Sequence, residues 1–393
     1  MEAFYKAYKR MKRADPQRVI RRDLMDKIDR DDRLICIRGP RGIGKTRFLL
    51  DFAQEHWPAE TSLYVNMNHF YFSVYALTDF AKEFSASGGK VLLLDQIFKY
   101  PQWVSDLEKI HRELPDLTIV FSTSSVMTLD EDFGALKEII RVYDLHGFSF
   151  REFLNYHSGL DFKPIRFEDL LRHHRYYASQ VVSELHPHDY LPAYLTQGYY
   201  PPEVDNTLFG ELLVKNLNML LEVDIVYIRQ IDPSYLHKLR QLLYVLATDK
   251  QAKPNITKLS EAIGASRATV MNYLRYLSDA GMIRLLYKGE ATFPRKPDSV
   301  FINDTNILNA IYPHEPTNAD ISKVFVLSHV QNAGLSVEIS EVSSADLVID
   351  RKHHIKTLPH AGVRSRNDTY YVLDDIMVGD QNRIPLWLFG FLY

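Results

Sequence analysis

The octamer Gly39-Pro40-Arg41-Gly42-Ile43-Gly44-Lys45-Thr46 holds the densest chemistry in the chain, because it fits the spacing GxxxxGK[ST]. The apolar run LICIR enters it, and RFLLDFAQEHW, starting at Arg47, leaves it with helical periodicity. Glycines at this spacing let the backbone curl until successive N–H groups point at phosphate oxygens. The helix that follows offers the positive end of its dipole to the same anion. Lys45 would place a point charge on those oxygens, and the Thr46 hydroxyl would complete a magnesium shell. A chance glycine-rich turn would explain the octamer alone, but two further segments argue against chance. KVLLLDQ is a buried strand ending in Asp95, a carboxylate suited to hold magnesium, with Gln96 directly after it. LTIVFSTSS is a third strand whose hydroxyl-rich tail suits a terminal phosphate. The expected ligands are therefore ATP and Mg2+, with residues 39–47 as the cradle, and Thr46 and Asp95 on the metal.

These groups need a scaffold that lines up strand ends. Four apolar runs, LICIR (34–38), SLYVNM (62–67), KVLLLD (90–95) and LTIVFS (117–122), alternate with helix-length polar stretches. Each reads as a fully buried strand, and the alternation predicts a parallel sheet covered on both faces. Residues 150–250 carry mainly helical periodicity, with turn chemistry at GYYPPEVDN (198–206) and a break at DPS (232–234). ITKLSEAI and RATVMNYLRYLSDA read as two helices joined through Gly264, with Ser266 as the N-cap of the second. Val270, Tyr273, Leu274 and Leu277 should face a core, leaving Arg267, Asn272 and Arg275 outward and Gly281 at the C-cap. MIRLLYKG and SVFIND supply a strand pair beside them. From Ile321 onward the pattern returns to strands, including ADLVID and TYYVLDD.

Composition narrows the function classes. The 393 residues are 46% apolar and 25% charged, which suits a globular chain of several domains. The formal charge of −3 gives no global cation field for coating nucleic acid, so DNA contact would need a local basic face. Lys6 to Arg22 is rich in basic residues and reads as a solvated helix face. The single cysteine, Cys36, excludes a disulfide framework and multi-cysteine zinc sites. No apolar run reaches the roughly 18–20 residues of a membrane span, and MEAFYKAYKRMKR does not read as a signal peptide. A cytoplasmic protein with no membrane partner is expected.

GPRGIGKT, LLLDQIFKYPQWVSDLEKI, LTIVFSTSS and LHGFSFREFL together resemble a family of prokaryotic AAA+-type P-loop ATPases. The resemblance continues through YLPAYLTQGYYP, KPNITKLSEAIGASRATVMNYLRYL and IPLWLFGFLY. It implies an α/β fold in four parts. These are a P-loop parallel-sheet ATPase domain (1–149), a helical lid (150–232), a winged helix (233–303) and an α+β nuclease-like domain (304–393). The family usually has glutamate directly after the magnesium aspartate, where it polarises the attacking water; here that position is Gln96. An amide is a very poor proton acceptor, so the implied catalytic pair of Lys45 and Gln96 predicts slow or absent turnover. Thr123 also stands where the family has glycine. Arg141 and Arg151 are the candidate transition-state cations, although an Arg151–Glu152 ion pair closing the domain junction is the preferred reading.

In the C-terminal part the resemblance puts Asp346 where a nuclease metal aspartate would stand. KHHIKTLPHAG replaces the expected Glu-X-Lys, so Lys356 lacks its acidic partner, and the region of Ile321-Ser322-Lys323 lacks the upstream glutamate. A nuclease relic is expected. The pairs His173–His174 and His353–His354 are adjacent residues pointing in different directions and form no chelate alone. Two functional readings stand. One is an ATP-binding AAA+-type protein with weak or absent hydrolysis that associates with DNA through Arg267, Asn272 and Arg275. The other is a non-enzymatic, nucleotide-stabilised regulator that binds DNA or protein.

Overall fold

The computed structural model describes residues 1–14, 20–201, 208–248, 253–312, 316–358 and 368–393. Part of the basic N-terminal segment, most of the 198–206 turn and the end of KHHIKTLPHAG lie outside the described residues. The chain divides into two compact units, Met1–His146 and Gly147–Tyr393.

The first unit is built on five parallel strands in the order β2-β3-β4-β1-β5. These are β1 (Leu34–Gly39), β2 (Ser62–Asn66), β3 (Val91–Asp95), β4 (Thr118–Ser124) and β5 (Arg141–Asp144). Helices α1 (Glu2–Ala14), α2 (Leu24–Lys27), α3 (Lys45–His56), α4 (Leu77–Ala86), α5 (Trp103–Glu113) and α6 (Leu129–Asp132) surround or connect them. Every residue of β3 is buried, as is all of β4 except Thr118, so unbroken apolar runs read correctly as central parallel strands. The fifth strand escapes such a reading. Its sequence RVYD has charged, exposed ends and two half-buried residues. It is recruited by backbone pairing to β1, with Arg38 opposite Asp144, and sealed by their two-pronged ion pair at 2.6 and 2.9 Å. Parallel order places Gly39, Asn66, Asp95 and Ser124 at the carboxyl ends of neighbouring strands, where open α/β sheets bind ligands.

The second unit opens with α7 (Phe150–Ser158), whose Ser149 and Glu152 form a reciprocal capping box. Then follow α8 (Phe167–Glu184), α9 (Pro187–Ala193), α10 (Phe209–Met219), α11 (Val226–Arg229) and α12 (Leu236–Thr248). Helices α13 (Ile256–Ile263) and α14 (Arg267–Asp279) meet at Gly264, whose φ of +59° turns the chain. The Ser266 side chain caps α14, and Val270, Tyr273, Leu274 and Leu277 are buried. Strands β6 (Ile283–Leu286) and β7 (Ser299–Ile302) form an antiparallel pair beyond them. After α15 (Thr305–Ile311) and α16 (Asn318–Asn332) comes a mixed sheet in the order β12-β11-β10-β9-β8. Its strands are β8 (Val337–Ile339), β9 (Leu347–Ile349), β10 (His353–Leu358), β11 (Thr369–Leu373) and β12 (Arg383–Pro385). The β10–β11 and β11–β12 pairs are parallel, and the other two are antiparallel.

One apolar cluster joins α7, α8, α16, the mixed sheet and the final turn Leu386–Phe391. Large aromatic side chains fill it: Phe150, Tyr194, Phe325, Trp387 and Phe391 are almost completely buried. Each such side chain contributes about 1.5–3 kcal/mol of burial. Gly390 is required by this packing, since a Cβ there would lie 2.3 Å from Cβ of Phe150. Among the described residues, no helix is long and apolar enough to cross a membrane.

Candidate nucleotide site

Residues 39–46 connect β1 to α3 as the spacing predicts. Gly42 and Gly44 adopt φ of +84° and +92°, a region that side-chain-bearing residues rarely enter, and Gly44 caps α3. Gly39 is needed for another reason: a Cβ there would meet the Leu145 carbonyl oxygen at 2.6 Å. Ile43 is fully buried and pins the middle of the loop to the core, while Pro40 and Arg41 are half-buried. The Lys45 ammonium donates to the carbonyls of Gly39 and Pro40 at 2.7 and 2.8 Å. Arg47 takes a different direction from the loop and pairs with buried Asp51 one helical turn on, at 2.6 Å.

Thr46 and Asp95 are brought together. The Thr46 hydroxyl donates to Asp95 Oδ2 at 2.6 Å, joining the first turn of α3 to the end of β3. A hydroxyl and a carboxylate at this separation are hard oxygen donors of the kind magnesium takes while keeping most of its waters. Asp95 has two more donors that the sequence reading did not single out. Tyr64 on β2 donates to Oδ2 at 2.7 Å, and Ser122 on β4 donates to Oδ1. The Ser122 oxygen also accepts the Gln96 backbone N–H at 2.9 Å. Gln96 has φ of +57°, and its side-chain amide makes no hydrogen bond among the described residues. Burial, reinforced by the charge of Asp95, pushes the Tyr64 pKa up, so its hydroxyl remains a donor at ordinary pH. The signal that would have found Tyr64 is weak: one phenolic hydroxyl at the middle of the strand SLYVN.

In the tail of β4, Thr123 donates to the Met127 sulfur at 2.8 Å. Cys36 is fully buried in β1, and burial pushes its thiol pKa up, which makes it core packing and not a nucleophile. Arg141 is exposed and lies 3.5 Å from Asp32. Arg151 is buried in the second unit, donating to the carbonyls of Tyr393 and Phe162 at 3.1 and 3.0 Å. Glu152 serves the helix cap.

On α14, Arg267 and Asn272 are exposed. Arg275 is half-buried, 3.7 Å from Asp279 and over the rings of Tyr276 and Phe293, so it is not the freely outward residue that helical spacing suggested. Asp346 lines a cavity of about 250 Å³ with Asp320, Lys323 and Ser340. Its carboxylate accepts the Thr357 N–H at 3.3 Å and lies 4.0 Å from the Lys323 ammonium. Lys356 is not among the residues lining that cavity. The histidine pairs are split: His174 meets the Gln381 carbonyl, His353 meets Glu168 and His354 meets Ser340. Among the described residues, no three His, Cys, Asp or Glu side chains gather to hold a metal.

Two family models match parts of the chain. Residues 31–154 match the family described as an AAA domain, and residues 188–318 match one described as a domain of unknown function, DUF8612. The chain is 24% identical over 290 residues to uncharacterized protein MJ1637 of Methanocaldococcus jannaschii. That match covers 68% of this chain and 60% of the relative, so the chain spans about three-fifths of the length of the curated relative it matches. Among solved structures, AMPPCP-bound DnaA from Aquifex aeolicus aligns at 13% identity with a TM-score of 0.24, over 62% of this chain and 81% of that one. PCH-2 of C. elegans aligns at 15% identity with a TM-score of 0.28, over 64% and 65%. The match of residues 31–154 to an AAA domain, of the P-loop ATPase type, implies nucleotide binding.

Proposed function

We propose that the chain binds ATP with magnesium through Gly39 to Thr46 and Asp95 and turns it over slowly, acting as a nucleotide-dependent switch. The observation that carries this reading is the 2.6 Å contact between Thr46 and Asp95 at the mouth of the glycine loop. Loop N–H groups and Lys45 would bind the phosphates, and Thr46 with Asp95 would hold the metal. Magnesium, when bound, supplies charge neutralisation on the phosphate oxygens. Asp95 keeps its orientation through hydroxyl donors on three elements. Gln96 stands where a base would be, and an amide orients water without accepting its proton.

The four-part organisation, with boundaries near 150, 233 and 304, belongs to this proposal, as does the reading of α13, α14, β6 and β7 as a winged helix. Exposed Arg267 and Asn272 on α14 favour a second reading, a nucleotide-stabilised module that docks on DNA or protein. The segment around Asp346 is read as nuclease-like and without cleavage activity.

The test is calorimetric titration of ATP with magnesium into wild type and Lys45→Ala, repeated with duplex DNA across a salt series. Removing a charge-assisted phosphate contact is worth about 1.5–3 kcal/mol, or roughly a 10- to 100-fold loss of affinity. Equal binding by the two proteins refutes the nucleotide reading. A steep log–log dependence of DNA affinity on salt supports the DNA-binding form of the module, and a flat one refutes it.

A further inference from the structure

We propose that Tyr64 is a positioning residue of the magnesium site: its buried hydroxyl clamps the Asp95 carboxylate toward Thr46 and so sets how much magnesium strengthens nucleotide binding. This rests on the nucleotide reading above and extends it to a residue on a different strand.

The Asp95 carboxylate is gripped on both oxygens. Thr46 and Tyr64 bond Oδ2 at 2.6 and 2.7 Å, while Ser122 bonds Oδ1. Rotation about the Cβ–Cγ bond would break the Tyr64 and Ser122 contacts together. Two oxygens offer about four lone-pair sites, so three hydroxyl donors leave the carboxylate with capacity to spare toward a metal. Packing alone does not call for a tyrosine here. Leu63 and Val65 flank it as buried apolar residues, and phenylalanine would fill the same volume. The ring is fixed from the other side by Tyr8 of α1, stacked with centroids 6.4 Å apart. Tyr64 therefore brings one rigidly held donor to the oxygen that also faces Thr46. Groups that orient a metal-holding carboxylate without touching the metal typically change metal affinity about 10- to 100-fold when removed.

ATP is titrated into the full chain in magnesium and in EDTA, for wild type, Tyr64→Phe, Asp95→Asn and the double variant. Tyr64→Phe should leave the EDTA affinity within about twofold and cut the gain from magnesium about tenfold. In the Asp95→Asn background the same change should add nothing, since both act through one carboxylate. Loss of affinity by the same factor in EDTA and in magnesium would show that Tyr64 only packs, and would overturn the proposal. An unchanged magnesium gain, or effects that multiply in the double variant, would overturn it too. Failure of wild type to bind ATP in either condition removes the nucleotide reading and this proposal together. Should Tyr64→Phe not fold, Ser122→Ala releases the opposite oxygen and must show the same magnesium-selective loss.

Discussion

Substituting Gln96 by glutamate asks whether one atom limits turnover. Gln96 holds its backbone position through the Ser122 contact to its N–H, and its amide bonds to no described residue. Glutamate has the same shape and tolerates the φ of +57° equally, so the change should alter stability by less than about 0.5 kcal/mol. Base assistance is worth about 10²–10⁴ in rate, or roughly 2.7–5.4 kcal/mol of barrier. Like-charge repulsion from adjacent Asp95 works against the new carboxylate, so the expected gain sits near 10²-fold. The assay is steady-state phosphate release at saturating ATP and magnesium, with Lys45→Ala as the background. Wild-type turnover of several per second, together with no gain in Gln96→Glu, would refute the assignment of Gln96 as the limiting group.

Two further predictions concern pH. Asp304 is fully buried, caps α15 by accepting the N–H groups of Asn306 and Ile307, and is pushed up to about 6 by burial. Its folded value lies above its unfolded one, so its contribution is most favourable below pH ~4 and is lost as pH rises through 6. Asp304→Asn keeps the cap and removes the charge. At pH 7 it should match or exceed wild type in urea unfolding by about 1–3 kcal/mol, with the difference gone near pH 4. Buried His329, lowered to about 4 by burial, behaves oppositely and loses stability as pH falls from 6.5, so Asp304→Asn should become more acid-sensitive than wild type. For Asp144, burial opposes ionisation but the Arg38 contacts outweigh it and hold the carboxyl below its usual range. Nearly half of that side chain is open to solvent, so Asp144→Asn should cost at most about 1 kcal/mol at pH 7, a penalty that holds down to about pH 4 and fades as pH falls below it. Thermal melts across pH 3–8 check both.

The parts legible in the sequence were those with strong local signals. Four of the five strands of the first sheet showed as short, mainly apolar runs, and the glycine loop showed because φ above zero and close approach both demand glycine. The α13–α14 turn was legible through Gly264 and Ser266 for the same kind of reason. What stayed hidden depends on partners distant in sequence. RVYD becomes a strand only because Ile35 to Arg38 lie beside it. Tyr64 and Ser122 look like ordinary core residues until parallel register places them around Asp95. Arg275 looked outward by helical phase alone, yet Asp279, Tyr276 and Phe293 hold it against its own unit.

The strand order has a consequence during synthesis. The phosphate loop hangs from β1, whose two neighbours arrive late: Leu34 pairs with Ile119, and Ile35 pairs with Arg141. At about 5–20 residues per second, a nascent chain therefore carries β1 for roughly 4–17 seconds with both backbone edges unmatched. During that interval β2 and β3 can pair with each other, but β1 must wait for β4. An apolar strand with open edges is a template for wrong pairing, so the segment that carries the phosphate loop is also open to misfolding at birth.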